Sequence, residues 1–199
     1  MQSKFFAYLS RLRWIKRWGL KRNIESENVM EHSWEVATIA HALAIIKNHY
    51  FNGHVNPEKV AAAALYHDAS EVITGDLPTP IKYHSPMITE SYHNIERQAV
   101  KELVKLLPEE LHNDFNYFID EEQQEQEVRE IIKSADIISA YLKCQYELNN
   151  GNNEFSIAAR TIEEKLDSYD SPEVRYFMDV FVSSYEMTLD DLLKVDRNS

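Results

Sequence analysis

Residues 65–80 read LYHDASEVITGDLPTP. The alanine-rich apolar run that leads into this stretch, residues 60–66, predicts a helix that carries the adjacent His67 and Asp68. Glu71 follows within one helical turn, and a helix rotates by about 100° per residue, so all three side chains can face one pocket. A His-Asp pair alone is a weak motif, because it also arises by chance. Its meaning therefore depends on polar residues elsewhere in the chain.

The predicted helix starts at residues 56–58, carries residues 60–73 and has recognisable ends. Asn56 followed by Pro57 is typical of a helix start. Gly75 can adopt the backbone conformation that stops a helix. Residues 76–80 are too rich in proline to be helical, so we expect a stiff loop beside the pocket.

The composition predicts an all-α protein. Only four Gly and six Pro accompany 44% apolar and 27% charged residues, which suits a compact helical bundle and leaves little material for turn-rich sheets. A length of 199 residues predicts a single domain over residues 1–199 that is long enough to bury a core.

Charge and cysteine content limit the class of protein. A net charge of -12 argues against a nucleic-acid polymer as the partner. The single cysteine, Cys144, cannot form an internal disulfide, and no signal pattern or long apolar span is present. We therefore expect a soluble, cytoplasmic protein that does not enter a membrane.

The N-terminal segment is basic. Its Lys and Arg residues all precede the first acid, Glu25. We expect residues 3–16 to form a helix that ends near Trp18 and Gly19. Most of these cations suit a solvated helix face, but Arg17 offers a planar set of donors that matches a phosphate group.

Two further predicted helices each place one polar residue on an apolar face. Asn28 and Glu31 form a capping pattern at the start of the second helix. His32 lies in the apolar stripe of that helix, either as a core histidine or as a ligand. Asp136, on a helix expected over residues 125–149, is flanked by apolar residues and needs a partner, either a basic side chain or a metal ion.

The rest of the chain predicts helices joined by short loops, with no repeat and no second domain. The acidic stretch over residues 120–127 is expected to be solvated. The remaining expected helices cover residues 86–107, 109–119, 154–169, 172–185 and 189–193.

Four residues form the ordered pattern H…HD…D on three predicted helices: His32, His67, Asp68 and Asp136. Two neutral imidazoles and two carboxylates suit a borderline divalent cation such as Mn, Co, Fe or Zn. A cation of higher coordination number would retain positions for water and for a substrate oxygen. The pattern therefore favours hydrolytic chemistry.

Five segments, three of which contain the four residues of the pattern, form a longer motif. They are RW at 17–18, NVMEHS at 28–33, YHDASEV at 66–72, TGDLPTP at 74–80 and KSAD at 133–136. In these segments the chain resembles the HD-domain phosphohydrolase superfamily, and within it the bacterial 5′-deoxynucleotidases of the YfbR type. The likeness extends over nearly the whole chain. Its most specific part is GDLPTP.

The resemblance implies a compact helical HD domain, usually a homodimer, that removes phosphate from deoxyribonucleoside 5′-monophosphates. It also implies one divalent metal ion, often cobalt or manganese. The implied metal ligands are His32, His67, Asp68 and Asp136. The implied substrate-binding residues are Arg17, Trp18, His32, Asp68, Asp76, Leu77, Pro78, Thr79 and Asp136.

The chemistry of Glu71, Arg17 and Asp76 indicates catalytic roles in addition to what the resemblance implies. Glu71 is a candidate to orient or deprotonate water, or to protonate the leaving 5′-oxygen. Arg17 would bind the phosphate. Trp18 would lie against the sugar and leave no room for a 2′-hydroxyl. Asp76 and the loop to Thr79 would hold the 3′ side of the sugar or assist proton transfer, and the sequence leaves open which acid is the principal one.

Several alternatives stay open on the sequence alone. A related hydrolase would act on nucleoside triphosphates or on cyclic or hyperphosphorylated nucleotides. A two-metal diesterase would need more inward histidines, and His84 and His93 have no spacing that recommends them. A catalytically silent nucleotide sensor, or a helical interaction protein without any site, would have to match the five segments without using them.

Overall fold

The computed structural model describes residues 2–194, whose regular elements are all helices. No β-strand occurs in that range, which holds one isolated antiparallel bridge, between Lys16 and Asn28. The all-α prediction is therefore confirmed. The α-helices are α1 (Phe5–Leu9), α2 (Val29–Tyr50), α3 (Pro57–Ala64), α4 (Glu71–Thr74), α5 (Thr79–Lys82), α6 (Pro86–Val104), α7 (His112–Ile119), α8 (Gln126–Asn149), α9 (Ser156–Asp167), α10 (Pro172–Phe181) and α11 (Leu189–Leu192).

Short 3-10 helices join several of these elements. They cover Ser10–Trp14, Glu109–Leu111, Glu121–Gln123, Asn153–Phe155 and Val182–Glu186. Among the helices of residues 2–194, none combines the length and the apolar character needed to cross a membrane.

The long helices α2 and α8 pack against each other at the centre of the molecule. α3 and α10 pack on α2, and α9 packs on α8. Apolar side chains at these contacts, such as Leu43 and Ile138, are fully buried, and each contributes about 1.5–3 kcal/mol by leaving water. Polar side chains on the inner faces of α2 and α8 are therefore held by rigid elements.

The helix starts predicted at Asn28 and Asn56 are confirmed in detail. The Asn28 side chain accepts hydrogen bonds from the amides of Met30 and Glu31 at 3.0 and 3.1 Å, and the Glu31 carboxylate accepts from the Asn28 amide at 3.2 Å. Asn56 accepts from the Lys59 amide at 2.7 Å. These bonds satisfy backbone donors that the first helical turn leaves free.

The helix predicted over residues 3–16 is wrong in its extent. The α-helical part ends at Leu9 and a 3-10 turn follows. The Ser10 hydroxyl donates to the carbonyl of Ala7 at 2.9 Å, a local bond that competes with the regular helical ladder.

The helix end predicted near Gly19 is also wrong, because the chain leaves the last 3-10 turn at Trp14. Trp18, rather than the glycine beside it, has a positive φ of 58°. The Lys21 amide donates to the Trp18 carbonyl at 2.8 Å and closes a turn there. A bulky residue in the left-handed region costs on the order of 1–3 kcal/mol, so the surrounding contacts must hold it.

The helix predicted over residues 60–73 is interrupted at the His-Asp pair. α3 ends at Ala64, turns follow, and α4 begins at Glu71. Nδ1 of His67 lies 2.8 Å from the Ala64 carbonyl oxygen, which a regular helix would offer to the amide of Asp68. The backbone continues with tighter bonds, such as that from the Glu71 amide to the Asp68 carbonyl at 3.0 Å.

The loop predicted over residues 76–80 contains the start of a short helix. α5 begins at Thr79, with Pro80 in its first turn, where a missing backbone donor is tolerated. The expectation of a wholly non-helical segment is therefore wrong at its end. Gly75, with φ 73°, terminates α4 as predicted.

A buried carboxylate docks the loop between α1 and α2 onto the end of α8. Glu147 is fully buried and accepts hydrogen bonds from the amides of Ile24 and Glu25 at 2.9 and 3.2 Å and from Asn152 at 2.7 Å. It also pairs with Lys143. Although burial alone would raise it, these contacts lower the pKa of Glu147 to about 2.

We expect Glu147→Gln to lower the free energy of unfolding by about 3 kcal/mol at neutral pH, because Lys143 would stay buried without its counter-charge. The depressed folded-state pKa makes this contribution complete above the unfolded value of 4.5 and lost as pH falls toward 2. Urea unfolding of both proteins at neutral pH and near pH 3 should show a difference that narrows in acid. Glu154 is an exposed acid near this cluster in the sequence. The free energy of unfolding of Glu154→Gln should stay within about 0.5 kcal/mol of the wild-type value. A difference that does not change with pH would contradict the assignment.

Candidate active site and metal centre

Separate segments bring the predicted polar side chains to one place. His32 lies on the first turn of α2, and Asp136 lies midway along α8. His67 and Asp68 come from the turn after α3, and Arg17 comes from the loop before α2. The residues of the pattern H…HD…D thus meet, together with the basic residue that the sequence singled out.

The hydrogen bond of each Nδ1 atom fixes the tautomer of the two imidazoles. Nδ1 of His67 faces the Ala64 carbonyl at 2.8 Å, and a carbonyl can only accept. Nδ1 of His32 lies 3.1 Å from Oγ of Ser139. Ser139 donates its own proton to Glu35 at 2.6 Å, so it accepts from His32. When the rings are neutral, the nitrogen without a proton is therefore Nε2 in both, and this is the atom that would bind a metal.

The two Nε2 atoms are buried and have no hydrogen-bond partner within residues 2–194. Oδ2 of Asp68 lies 3.1 Å from Nε2 of His67 and 3.6 Å from Nε2 of His32. Ligand atoms of these three residues all lie within 4.8 Å of one another. Oδ1 of Asp136 lies 3.0 Å from Nε2 of His32, beside this trio. Converging lone pairs of nitrogen and carboxylate oxygen fit a divalent cation.

The charges of the cluster interact strongly. Although burial would lower it, the adjacent Asp68 raises the pKa of His67 to about 9. The pKa of Asp68 lies well below its usual range despite burial, because His67, His32 and Arg17 are close. The carboxylates thus favour positively charged partners, such as a divalent cation.

Arg17 directs its guanidinium toward the same carboxylates. Nη1 lies 3.3 Å from Oδ2 of Asp68, and Nη2 lies 4.0 Å from Oδ1 of Asp136. Although burial opposes the charge, these neighbours hold the pKa of Arg17 above its usual value. A permanently charged planar fork beside the imidazoles suits a phosphate group.

Glu71 and Asp76 contribute two carboxyl groups with raised pKa values. Oε2 of Glu71 is buried without a hydrogen-bond partner in the described part of the chain. Burial, with the charges of Asp68 and Asp76, raises the pKa of Glu71 to about 9. Burial also raises the pKa of Asp76, whereas Arg17 opposes that rise. Such groups beside a cation-binding cluster are suited to hold and move protons.

The remaining predicted positions differ in their exposure. Leu77 and Pro78, which follow Asp76, are half-buried, and Thr79 is exposed. His84 and His93 are exposed and lie outside the metal-compatible trio. The two-metal alternative therefore finds no second ligand group among the described residues.

Sequence reasoning missed three residues that contact the cluster: Glu27, Glu35 and Ser139. Ser139 lies three residues after Asp136, and Glu35 lies three residues after His32, so each shares a helical face with a predicted ligand. That spacing was a usable signal. Glu27 gave no such signal because it lies in a loop.

We expect Ser139→Ala to weaken divalent-metal binding by about 10–100-fold, because His32 would lose the acceptor that fixes its tautomer. Competition against a fluorescent chelator measures this affinity on metal-free protein. Ser134→Ala is the matched control, since Ser134 is also buried on α8 but donates to the Glu130 carbonyl at 2.9 Å. Equal affinities of wild type and Ser139→Ala would contradict the orienting role.

The chain is similar to known proteins over most of its length. A family model described as 5′-deoxynucleotidase YfbR-like matches residues 4–185. Two relatives named 5′-deoxynucleotidase, from Yersinia pestis (strain Pestoides F) and Yersinia pseudotuberculosis serotype O:1b (strain IP 31758), are each 54% identical over 190 residues. Each alignment covers 96% of this chain and 96% of the relative.

Solved structures show the same fold. An HD-domain phosphohydrolase from Listeria innocua aligns with a TM-score of 0.80 at 24% identity, covering 92% of this chain and 88% of that one. An HD phosphohydrolase of cyanophage S-2L, described as bound to dA and one catalytic Zn2+ ion, aligns with a TM-score of 0.64 at 21% identity, covering 89% and 96%.

The predicted HD-domain fold is thereby confirmed, and the predicted activity is the one for which the matching family and these relatives are named. Because the family model spans most of the chain and relatives at 54% identity align almost end to end, the chain belongs to the YfbR-like 5′-deoxynucleotidase family.

Proposed function

We propose that this chain hydrolyses deoxyribonucleoside 5′-monophosphates to deoxyribonucleosides and phosphate, using a divalent metal ion. The observation that carries the proposal is the pair of buried, unpartnered Nε2 atoms of His32 and His67 facing carboxylate oxygens. Membership in a family named for this activity supports the reaction type. The neighbouring guanidinium would bind the phosphate, and the two carboxyl groups with raised pKa values would transfer protons.

The proposed metal ligands are His32, His67, Asp68 and Asp136. Bound there, a divalent ion would supply Lewis acidity at a phosphoryl oxygen and make water a stronger nucleophile. Asp136 is 41% exposed at its side chain, more than the other three, which places it where the cluster opens to solvent.

Arg17 would bind the phosphate. Its side chain is 14% exposed and its Nη atoms point at the carboxylates of the cluster. A dianionic phosphate placed there would meet two N–H donors at once. The charge of Arg17 would also stabilise the transition state as negative charge moves onto the leaving oxygen.

Glu71 would donate the proton that the leaving 5′-oxygen needs. Its raised pKa favours the carboxylic acid at neutral pH. Water oxygen bonds to phosphorus as the bond to the 5′-oxygen breaks, and that oxygen takes the Glu71 proton. One proton of the water then restores Glu71 and the other stays on the phosphate, so the reaction balances. Asp76 would assist this transfer or hold the sugar.

The proposed sugar contacts are Trp18 and the segment from Asp76 to Thr79. The Trp18 indole is half-buried and packs at a tilt against Phe155, with ring centroids 5.3 Å apart. An indole held against the sugar would exclude a 2′-hydroxyl by its volume. Leu77 and Pro78 would line the adjacent side.

We further propose cobalt or manganese as the working ion, which the mixed nitrogen and oxygen ligands support. We also propose a single HD domain that works in the cytoplasm as a homodimer. Exposed apolar side chains of the C-terminal region support the homodimer, because contact with a second copy of the chain would cover them. They include Val180, Phe181, Tyr185 and Leu189, which are 41–70% exposed.

The test is phosphate release from dAMP and from AMP by protein stripped with EDTA and reloaded with Co, Mn, Mg or Zn. Metal-dependent turnover of dAMP with little turnover of AMP is the expected result. Metal binding without phosphate release from either nucleotide would overturn the proposal. Release of pyrophosphate or triphosphate from other nucleotides would then identify one of the alternative hydrolases.

A further inference from the structure

We propose that Glu27 is a positioning residue for substrate selection: one carboxylate holds the Trp18 indole and the Arg17 guanidinium in a fixed relation and so sets the preference for deoxyribose over ribose. This inference rests on the proposed function, which places the sugar against Trp18 and the phosphate on Arg17. Sequence patterns gave Glu27 no role.

The carboxylate of Glu27 touches both residues with the same oxygen. Oε2 accepts from Nε1 of Trp18 at 2.8 Å and from Nε of Arg17 at 3.3 Å. Oε1 lies 3.7 Å from Nδ1 of His32. The Glu27 side chain is 13% exposed, so these contacts are shielded from solvent and weakened little by it.

The backbone brings Glu27 opposite the two residues that it holds. The Arg17 amide donates to the Glu27 carbonyl at 3.1 Å, next to the bridge between Lys16 and Asn28. Two short extended segments therefore run side by side. This backbone pairing positions the Cα atom of Glu27, and the hydrogen bonds position its carboxylate.

Glu27 orients Arg17 without occupying the atoms that a phosphate would use. The contact to Glu27 uses Nε, whereas Nη1 and Nη2 point toward Asp68 and Asp136. Because the guanidinium is planar, a contact at Nε also restricts the orientation of Nη1 and Nη2. Its remaining donors are then presented in a fixed direction.

Trp18 is held at two points in an unfavourable backbone conformation. Its φ is 58°, its ring lies against the fully buried Phe155, and its N–H is held by Glu27. Packing on Phe155 positions the ring face, and the hydrogen bond sets the rotation of the indole. Without the carboxylate, the indole would regain rotational freedom and its steric exclusion of a 2′-hydroxyl would weaken.

The experiment compares kcat and KM for dAMP and AMP in wild type, Glu27→Leu and Glu27→Gln. We expect the ratio of kcat/KM for dAMP over AMP to fall by about 10-fold or more in Glu27→Leu, because a small displacement of a positioned group is costly. Glu27→Gln keeps one acceptor but no charge, so we expect an intermediate ratio and a raised KM for dAMP. If Glu27→Leu does not fold, Glu27→Gln still provides the measurement.

A second readout needs neither metal nor turnover. The chain has three Trp, and Trp14 and Trp34 are 64% and 65% exposed. In a background carrying Trp14→Phe and Trp34→Phe, the fluorescence reports Trp18 alone. Loss of the Glu27 carboxylate should shift its emission to longer wavelength and increase quenching by acrylamide.

The matched control is Glu25→Gln, an exposed acid in the same loop whose backbone amide, not its side chain, makes the contact to Glu147. It should leave selectivity and fluorescence unchanged. Unchanged selectivity in a folded Glu27→Leu protein would overturn the inference, whether or not the fluorescence moved. Absence of dAMP hydrolysis by the wild type would instead overturn the proposed function itself, before any variant is measured.

Discussion

Asp68→Ala should abolish metal retention and lower kcat/KM for dAMP by about 1,000-fold or more. The carboxylate lies within 3.6 Å of the Nε2 atoms of His32 and His67 and 3.3 Å from Arg17. Removing it deletes a proposed direct ligand and leaves neighbouring groups without their shared partner, a larger change than the 10–100-fold typical of residues that act through a ligand. Metal content after gel filtration and phosphate release measure the two losses.

Two further variants make this result specific. Asp68→Asn preserves the shape of the side chain and should lose metal to a similar degree, which separates the charge from packing. Asp170→Ala removes an exposed aspartate paired with Arg175 and should change neither metal content nor turnover. A fully metallated, active Asp68→Ala protein would refute the ligand set.

Glu71→Gln should lower kcat for dAMP by about 100- to 10,000-fold while metal content and KM stay near wild-type values. The amide keeps the volume of the carboxyl group but cannot supply a proton to the leaving oxygen. Single-turnover phosphate release isolates the chemical step from product release. A substrate with a far better leaving group, such as p-nitrophenyl phosphate, needs less protonation and should be affected much less.

Glu90→Gln provides the control for this substitution, because Glu90 is an exposed acid on α6. Its kcat should match that of the wild type. Wild-type kcat in a metal-loaded Glu71→Gln protein would remove Glu71 from the chemistry. Equal losses with dAMP and with p-nitrophenyl phosphate would contradict proton donation and favour a role in orienting water.

The sequence predicted the elements that long periodic patterns specify. The apolar stripes of α2 and α8 placed His32 and Asp136 on inward faces, and the structure brings both to one cluster. Capping chemistry at Asn28 and Asn56 predicted two helix starts. Each of these features depends on neighbours within a few turns, which is the range over which sequence patterns carry information.

The sequence did not predict where side chains compete with the backbone. His67 takes the Ala64 carbonyl through its ring, so the helix breaks at the residue that the site uses. Nothing in the local pattern distinguishes that bond from a regular helical turn. Glu27 is a second case, because its partners Trp18 and Arg17 are brought to it by a loop whose course depends on distant contacts such as those of Glu147.

The left-handed backbone of Trp18 has a consequence for engineering this protein. Gly or Asn at position 18 would adopt φ 58° with less strain, but either exchange would also lose the packing on Phe155 and the hydrogen bond to Glu27. The same exchange would remove the indole that we propose as the contact to the sugar. Relief of backbone strain and the proposed nucleotide discrimination therefore oppose each other at this position, and stabilising substitutions are better sought elsewhere in the fold.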